Sequence, residues 1–143
     1  MLQFETVLST SFFFEKENLL FIKIKENLEL TVPNVILNNE QIYKVLGEKV
    51  TKVLFDIRHL QFTHIPRDVL NYIADSPYGK YQESEAFVIS GLGQKLLANF
   101  YLKVIKPKVK SKFFTNFQSA LQWLEVENTN YINEVFDDDH QSF

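Results

Sequence analysis

Val53-Leu54-Phe55-Asp56-Ile57 is an almost unbroken apolar run with a single acid in it. A strand with one wet face alternates apolar and polar residues, and this one does not. It therefore reads as a strand covered on both faces, the pattern of a parallel sheet with helices above and below. The flanks supply such helices. Upstream, Thr31 can cap a helix and Pro33 suits its first turn. Val35, Ile42, Val45 and Leu46 then fall near one helical face before Gly47 supplies a stop. Downstream, Pro66 to Ala74 reads as a second helix with Val69, Leu70 and Ile73 turned inward and Pro77 ending it.

Further out the alternation continues. Ala86-Phe87-Val88-Ile89 is a second buried strand. Gly91-Leu92-Gly93 leads into a third helix, where Leu96, Leu97, Phe100, Tyr101 and Val104 recur at three and four until Pro107 stops it. Lys112-Phe113-Phe114 is a short strand, and Thr115 with Gln118 forms a capping box for a last helix carrying Phe117, Ala120, Leu121 and Leu124. At the other end, Phe4 to Phe14 reads as one strand, Glu15-Lys16-Glu17-Asn18 as a polar break, and Leu19 to Lys25 as an alternating strand. These two are expected to form an antiparallel hairpin with one wet face. The order β-β-α-β-α-β-α-β-α specifies an α/β fold. It predicts an open, mixed, mostly parallel sheet of about five strands with four helices and right-handed crossovers.

At 143 residues, with 45% hydrophobic and 23% charged residues, the chain has the profile of one globular domain. The reading assigns that domain to 1–126 and an acidic C-terminal tail to 127–143. The tail's composition reads as disordered, the alternative being one amphipathic turn of Tyr131, Ile132, Val135 and Phe136 docked on a neighbour. Zero cysteines exclude disulfides, thiol catalysis and thiolate metal sites. No apolar run approaches the ~18 residues of a membrane helix, and Met1-Leu2-Gln3-Phe4-Glu5 lacks the positive start of a signal peptide, so the expected location is cytoplasmic.

The segments Val53 to Arg58, Pro66-Arg67-Asp68-Val69-Leu70, Asn99-Phe100-Tyr101-Leu102-Lys103, Lys106-Pro107-Lys108-Val109, Phe113-Phe114-Thr115 and Ala120-Leu121-Gln122-Trp123-Leu124 carry a resemblance by their order and spacing. Together they resemble the small stand-alone bacterial proteins described as STAS-like or SpoIIAA-like (stage II sporulation antagonist AA), over roughly Phe4 to Val126. The resemblance implies a small regulatory or interaction module. The first reading is a non-enzymatic cytoplasmic one that works by protein contact, with the excess of aromatics (14 Phe and 6 Tyr) lining a pocket or the aromatic-rich face of a homodimer. The fold is also related to CRAL-TRIO lipid-binding domains, which implies as the alternative a carrier or sensor of a small apolar, lipid-like ligand. Partner-switching relatives carry a phosphorylatable Ser or Thr at the start of the helix after the central strand. That position falls near Ile65-Pro66, which has no hydroxyl; Thr63 is the nearby candidate, and its plain role is to cap the helix.

Three polar constellations remain. Asp56, Arg58, His59, Thr63, His64, Arg67 and Asp68 span the carboxyl end of the central strand and the following loop, where open α/β sheets bind ligands. They would form a ligand or partner site. An enzyme would use His59 or His64 as a base beside Asp56 or Asp68, with Arg58 or Arg67 holding an anion. The spacing carries no nucleophile motif and no metal-ligand signature, so neither metal nor cofactor is expected. Ser90-Gly91-Leu92-Gly93 lacks the third glycine of a dinucleotide loop, which leaves a tight turn as its role.

The third constellation is electrostatic. Between Ala86 and Leu124 stand six lysines and no acid, whereas Glu125, Glu127, Glu134, Asp137, Asp138 and Asp139 follow without a basic group. The strip Lys103, Lys106, Lys108, Lys110 and Lys112 could meet an acidic partner, and Lys110 and Lys112 could guard an exposed strand edge. Nucleic acid is disfavoured by the net charge of −3 and the lack of a binding motif.

Overall fold

The computed structural model describes residues 1–60 and 65–127 together with Ile132 and Val135. Its elements are β1 (Leu2–Glu5), β2 (Ser9–Phe14), β3 (Leu19–Ile24), α1 (Val32–Leu46), β4 (Thr51–Asp56), α2 (Arg67–Ala74), β5 (Gln82–Val88), α3 (Gly91–Phe100), β6 (Ser111–Phe114) and α4 (Phe117–Trp123). A 3₁₀ turn over Pro77–Tyr81 leads into β5, and a π turn over Tyr101–Ile105 ends α3. Thr51 and Asp56 bound the strand read from Val53 to Ile57, and Val53 and Leu54 are almost fully buried.

One sheet runs β1-β2-β3-β4-β5-β6 in sequence order. The first two pairings are antiparallel and the last three parallel. Because every parallel crossover steps in the same direction, right-handed connections place α1, α2 and α3 on one face. The other face is left for α4. Leu54, Phe12, Phe14, Phe21, Ala86 and Val88 pack there against Ala120, Leu121 and Leu124, and Ile132 is buried in the same cluster with Val135 against it. On the α1–α3 face, Phe55, Phe87 and Phe113 are register partners across three strands. Their rings stack at 4.8 and 4.7 Å.

Local signals explain the helix ends. Thr31 Oγ1 accepts from the Asn34 amide, Pro33 sits in the first turn, and Gly47 closes α1 with φ +64°. Burial of one stripe supplies the rest of the helix stability.

Three expectations need correction. The sheet has six strands rather than about five, because the run from Phe4 to Phe14 breaks at Thr6-Val7-Leu8 into β1 and β2. The opening hairpin has no wet face: Phe12, Phe14, Leu19 and Phe21 are buried beneath α4. The last helix is capped one residue later than read, by Asn116, whose Oδ1 accepts from the Ser119 amide at 2.8 Å. In that geometry the Thr115 side chain is not the cap, since β6 and the turn out of it set where the backbone becomes helical.

Candidate functional site

Strand alternation sends Thr51, Val53, Phe55 and then Ile57 toward α1, with Leu20, Ile22 and Ile24 beside them on β3 and Glu85 and Phe87 on β5. Val35, Asn38, Ile42 and Leu46 descend from α1 onto this floor. They do not fill it. A cavity of about 170 Å³ remains between helix and sheet. Its more exposed end is framed by Tyr43, Tyr78 and Tyr81, whose rings approach at 5.5 to 6.4 Å.

Most of the wall is aliphatic or aromatic. Among the polar residues that interrupt it, Asn38, Thr51 and Glu85 are buried, and Glu85, only 3% exposed, is the carboxylate. Its Oε1 accepts from Ser111 Oγ at 2.6 Å. Burial outweighs this bond and the one from Gln82, so the carboxyl is pushed up to about 7. The buried Tyr101 hydroxyl has no hydrogen-bond partner among the described residues. Burial first, and then the charge of Glu85, push its pKa up as well. Glu85 was not among the residues read as a site. The apolar pattern starts the strand at Ala86, although the spacing Glu85–Phe87 is that of two residues on one strand face.

At the carboxyl edge, the structure separates the polar cluster. Asp56 lies on the α4 face, with its side chain fully buried. Arg58 Nε reaches its Oδ1 and Arg58 Nη2 its Oδ2, each at 2.9 Å, while the guanidinium lies 4.8 Å from the Phe117 ring centre. Arg67 opens α2 on the opposite face, its guanidinium 5.6 Å from the Phe100 ring. The exposed His59 has Nδ1 3.6 Å from Glu26 Oε1. It lines a cleft with Asp68 and the 27–33 loop. His59 and Arg67 are therefore not gathered around Asp56. Thr63 and His64 lie outside the described residues. The cap position of α2 is held by Pro66, without a side-chain bond.

The strand order never reverses within the parallel part, so this edge has no switch-point crevice. The edge is closed instead by Gln94. Its Nε2 donates to the carbonyls of Ile57, Arg58 and Leu60 at 2.8 to 3.0 Å, and its Oε1 accepts from the Ser90 amide. Ser90-Gly91-Leu92-Gly93 is a tight turn into α3, and Gly91 has φ +78°.

The basic strip is likewise divided. Lys108 pairs with Asp75 at 2.6 Å, while Lys110 lies over Trp123 and Lys112 over Phe114 on the α4 face. Lys110 precedes and Lys112 occupies β6, an edge strand of the sheet, while Lys103 and Lys106 are exposed beyond α3. Among the described residues no group of three His, Cys, Asp or Glu side chains could hold a metal ion. No helix among them is long and apolar enough to cross a membrane.

Residues 12–127 match the family model of the domain of unknown function DUF7793, and the chain belongs to that family. No curated protein matches it. It is similar to the crystal structure of an uncharacterized protein of the DUF3478 family with a SpoIIAA-like fold from Shewanella loihica PV-4. The TM-score is 0.50 at 22% identity, covering 73% of this chain and 82% of that one. The fold is thus SpoIIAA-like, as the order of segments in the sequence implied.

Proposed function

We propose that this member of the DUF7793 family is a non-enzymatic regulatory module whose input is a small apolar molecule held between α1 and the sheet. The cavity carries this reading. Protein interiors leave few voids larger than a water molecule. This space of about 170 Å³ is left unfilled by α1 and is reached from its Tyr43, Tyr78 and Tyr81 end. A largely apolar space of this size has room for a molecule as large as benzene. Its floor is the central strand, so occupancy is transmitted to both layers of the fold.

The test is titration with toluene, followed by two-dimensional amide NMR. Shifts centred on Leu20, Val53 and Phe87 are expected, and Ile42→Phe, which fills the space from α1, should remove them. Shifts confined to other regions, or none, would end the proposal.

A second reading has its own observation. Leu92, Leu96 and Val104 are 73, 55 and 52% exposed on α3 and its π turn. With Lys95 and Lys103 interleaved, this stripe suits a protein partner or a second copy of the chain. His59, and Arg67 with its guanidinium against Phe100 at the far end of α3, would extend that surface. Light scattering at high concentration tests the homodimer: a dimer that Leu92→Glu dissociates supports it, and a strict monomer removes it.

A further inference from the structure

We propose that the α1–sheet cavity selects a protonated primary amine with a small apolar body, and that Glu85 is the group that recognises the ammonium. This rests on the cavity being a ligand site and goes on to name the ligand's chemistry. Glu85 is buried in the wall of an otherwise largely apolar space. A carboxylate offers about four acceptor positions. Here Ser111 Oγ and the Gln82 side chain take up only part of them.

Among the described residues no lysine or arginine forms an ion pair with Glu85. Among the described residues, Lys49 is the lysine in the cavity lining, and its Nζ lies 5.0 Å from the centre of the Phe13 ring. A buried carboxylate without a counter-ion is costly, and a ligand cation is what would remove that cost. The volume allows an aromatic ring or a short aliphatic chain behind the ammonium.

The titratable and polar groups around Glu85 and its cavity come from several elements. They are Tyr101 from the end of α3, Ser111 on β6, Gln82 on β5, and Lys49, Tyr43, Tyr78 and Tyr81 around the cavity. Among the described residues no histidine lines the space.

The experiment compares toluene with benzylamine, which stays protonated across the range, by NMR titration of the whole chain at pH 5.5 and pH 8. Benzylamine should bind at least ten-fold more tightly at pH 8, because the carboxylate it needs forms between these values, whereas toluene should show no such gain. Glu85→Gln should abolish the pH dependence for the amine and keep toluene binding; the wild-type pH profile stands as a test that needs no variant. If toluene binds and benzylamine shows no gain with pH, the assignment of Glu85 is overturned while the cavity reading stands. If neither binds, both fall.

Discussion

Gln94 Nε2 lies 2.9 Å from the carbonyl oxygen of Ile57, a bond from α3 to the residue directly after the central strand. The same amide group holds the Arg58 and Leu60 carbonyls, and its oxygen takes the Ser90 amide. One side chain thus satisfies the loop out of β4 and the entry to α3. Gln94→Ala would strand several of these groups, at a cost of about 1–3 kcal/mol for each that water cannot reach. Urea unfolding should show a loss of about 3 kcal/mol. Gln94→Glu should be no better, since a carboxylate cannot donate to the three carbonyls; a variant within 0.5 kcal/mol, about the noise for a surface site, would show that water replaces the bonds.

The Asp56–Arg58 pair makes a separate prediction. Asp56 is fully buried on the α4 face, and the Arg58 guanidinium meets both of its oxygens. Removing one partner of a buried pair leaves an uncompensated charge and costs about 3–5 kcal/mol. Arg58→Met, which keeps the stem against Phe117, should therefore destabilise strongly at pH 7. The double variant Asp56→Asn with Arg58→Met should recover much of the loss. A thermal melt of the three proteins decides it, and equal losses in the single and double variants would contradict the buried-charge account.

Much of this architecture was legible because its signals are local. The apolar run Val53 to Ile57, the cap at Thr31 and the stop at Gly47 each specify their element from neighbouring residues. The break between β1 and β2 is different. Thr6-Val7-Leu8 contains no glycine, proline, asparagine or aspartate; Thr6 and Ser9 bond each other across the turn, and the rest of it is held from afar. The Thr6 hydroxyl and Leu8 amide bond Asn38 Oδ1, and the Val7 amide bonds Gln41 Oε1, both residues of α1. The local Thr6–Ser9 bonds alone do not announce a turn that a helix thirty residues away completes. The site was hidden for a related reason. Gln82-Glu83-Ser84-Glu85 looks like a polar loop until the register with β4 and β6 draws Glu85 under α1.

Gly47 offers a test of backbone rather than side-chain physics. It ends α1 at φ +64° and ψ −140°, a region essentially restricted to glycine, and a Cβ there would meet open space. Any cost of Gly47→Ala is then conformational, about 1–3 kcal/mol. Gly91→Ala, at φ +78° with equal room, should lose a comparable amount. Chemical denaturation of both measures this, and a neutral result at either position would mean that the chain leaves the left-handed region without penalty.

Glu85 ties stability to pH with a sign opposite to that of a salt-bridged carboxylate. Its folded pKa of about 7 lies above the ordinary 4.5, so the fold prefers the protonated form. The protein therefore has its full stability from this group below pH 4.5 and loses it as pH rises toward and through 7. At 1.36 kcal/mol per unit, the displacement corresponds to roughly 3 kcal/mol lost by pH 8. Other carboxylates also titrate, so the informative quantity is the wild-type stability minus that of Glu85→Gln, in which Ser111 keeps an acceptor. That difference should favour the wild type at pH 5 more than at pH 8 by about 2–3 kcal/mol, measured by urea unfolding in matched buffers. A difference that does not change between the two values would mean that the folded protein gives this carboxyl enough water or hydrogen bonding to ionise freely, and the uncompensated charge proposed to draw an amine would be absent.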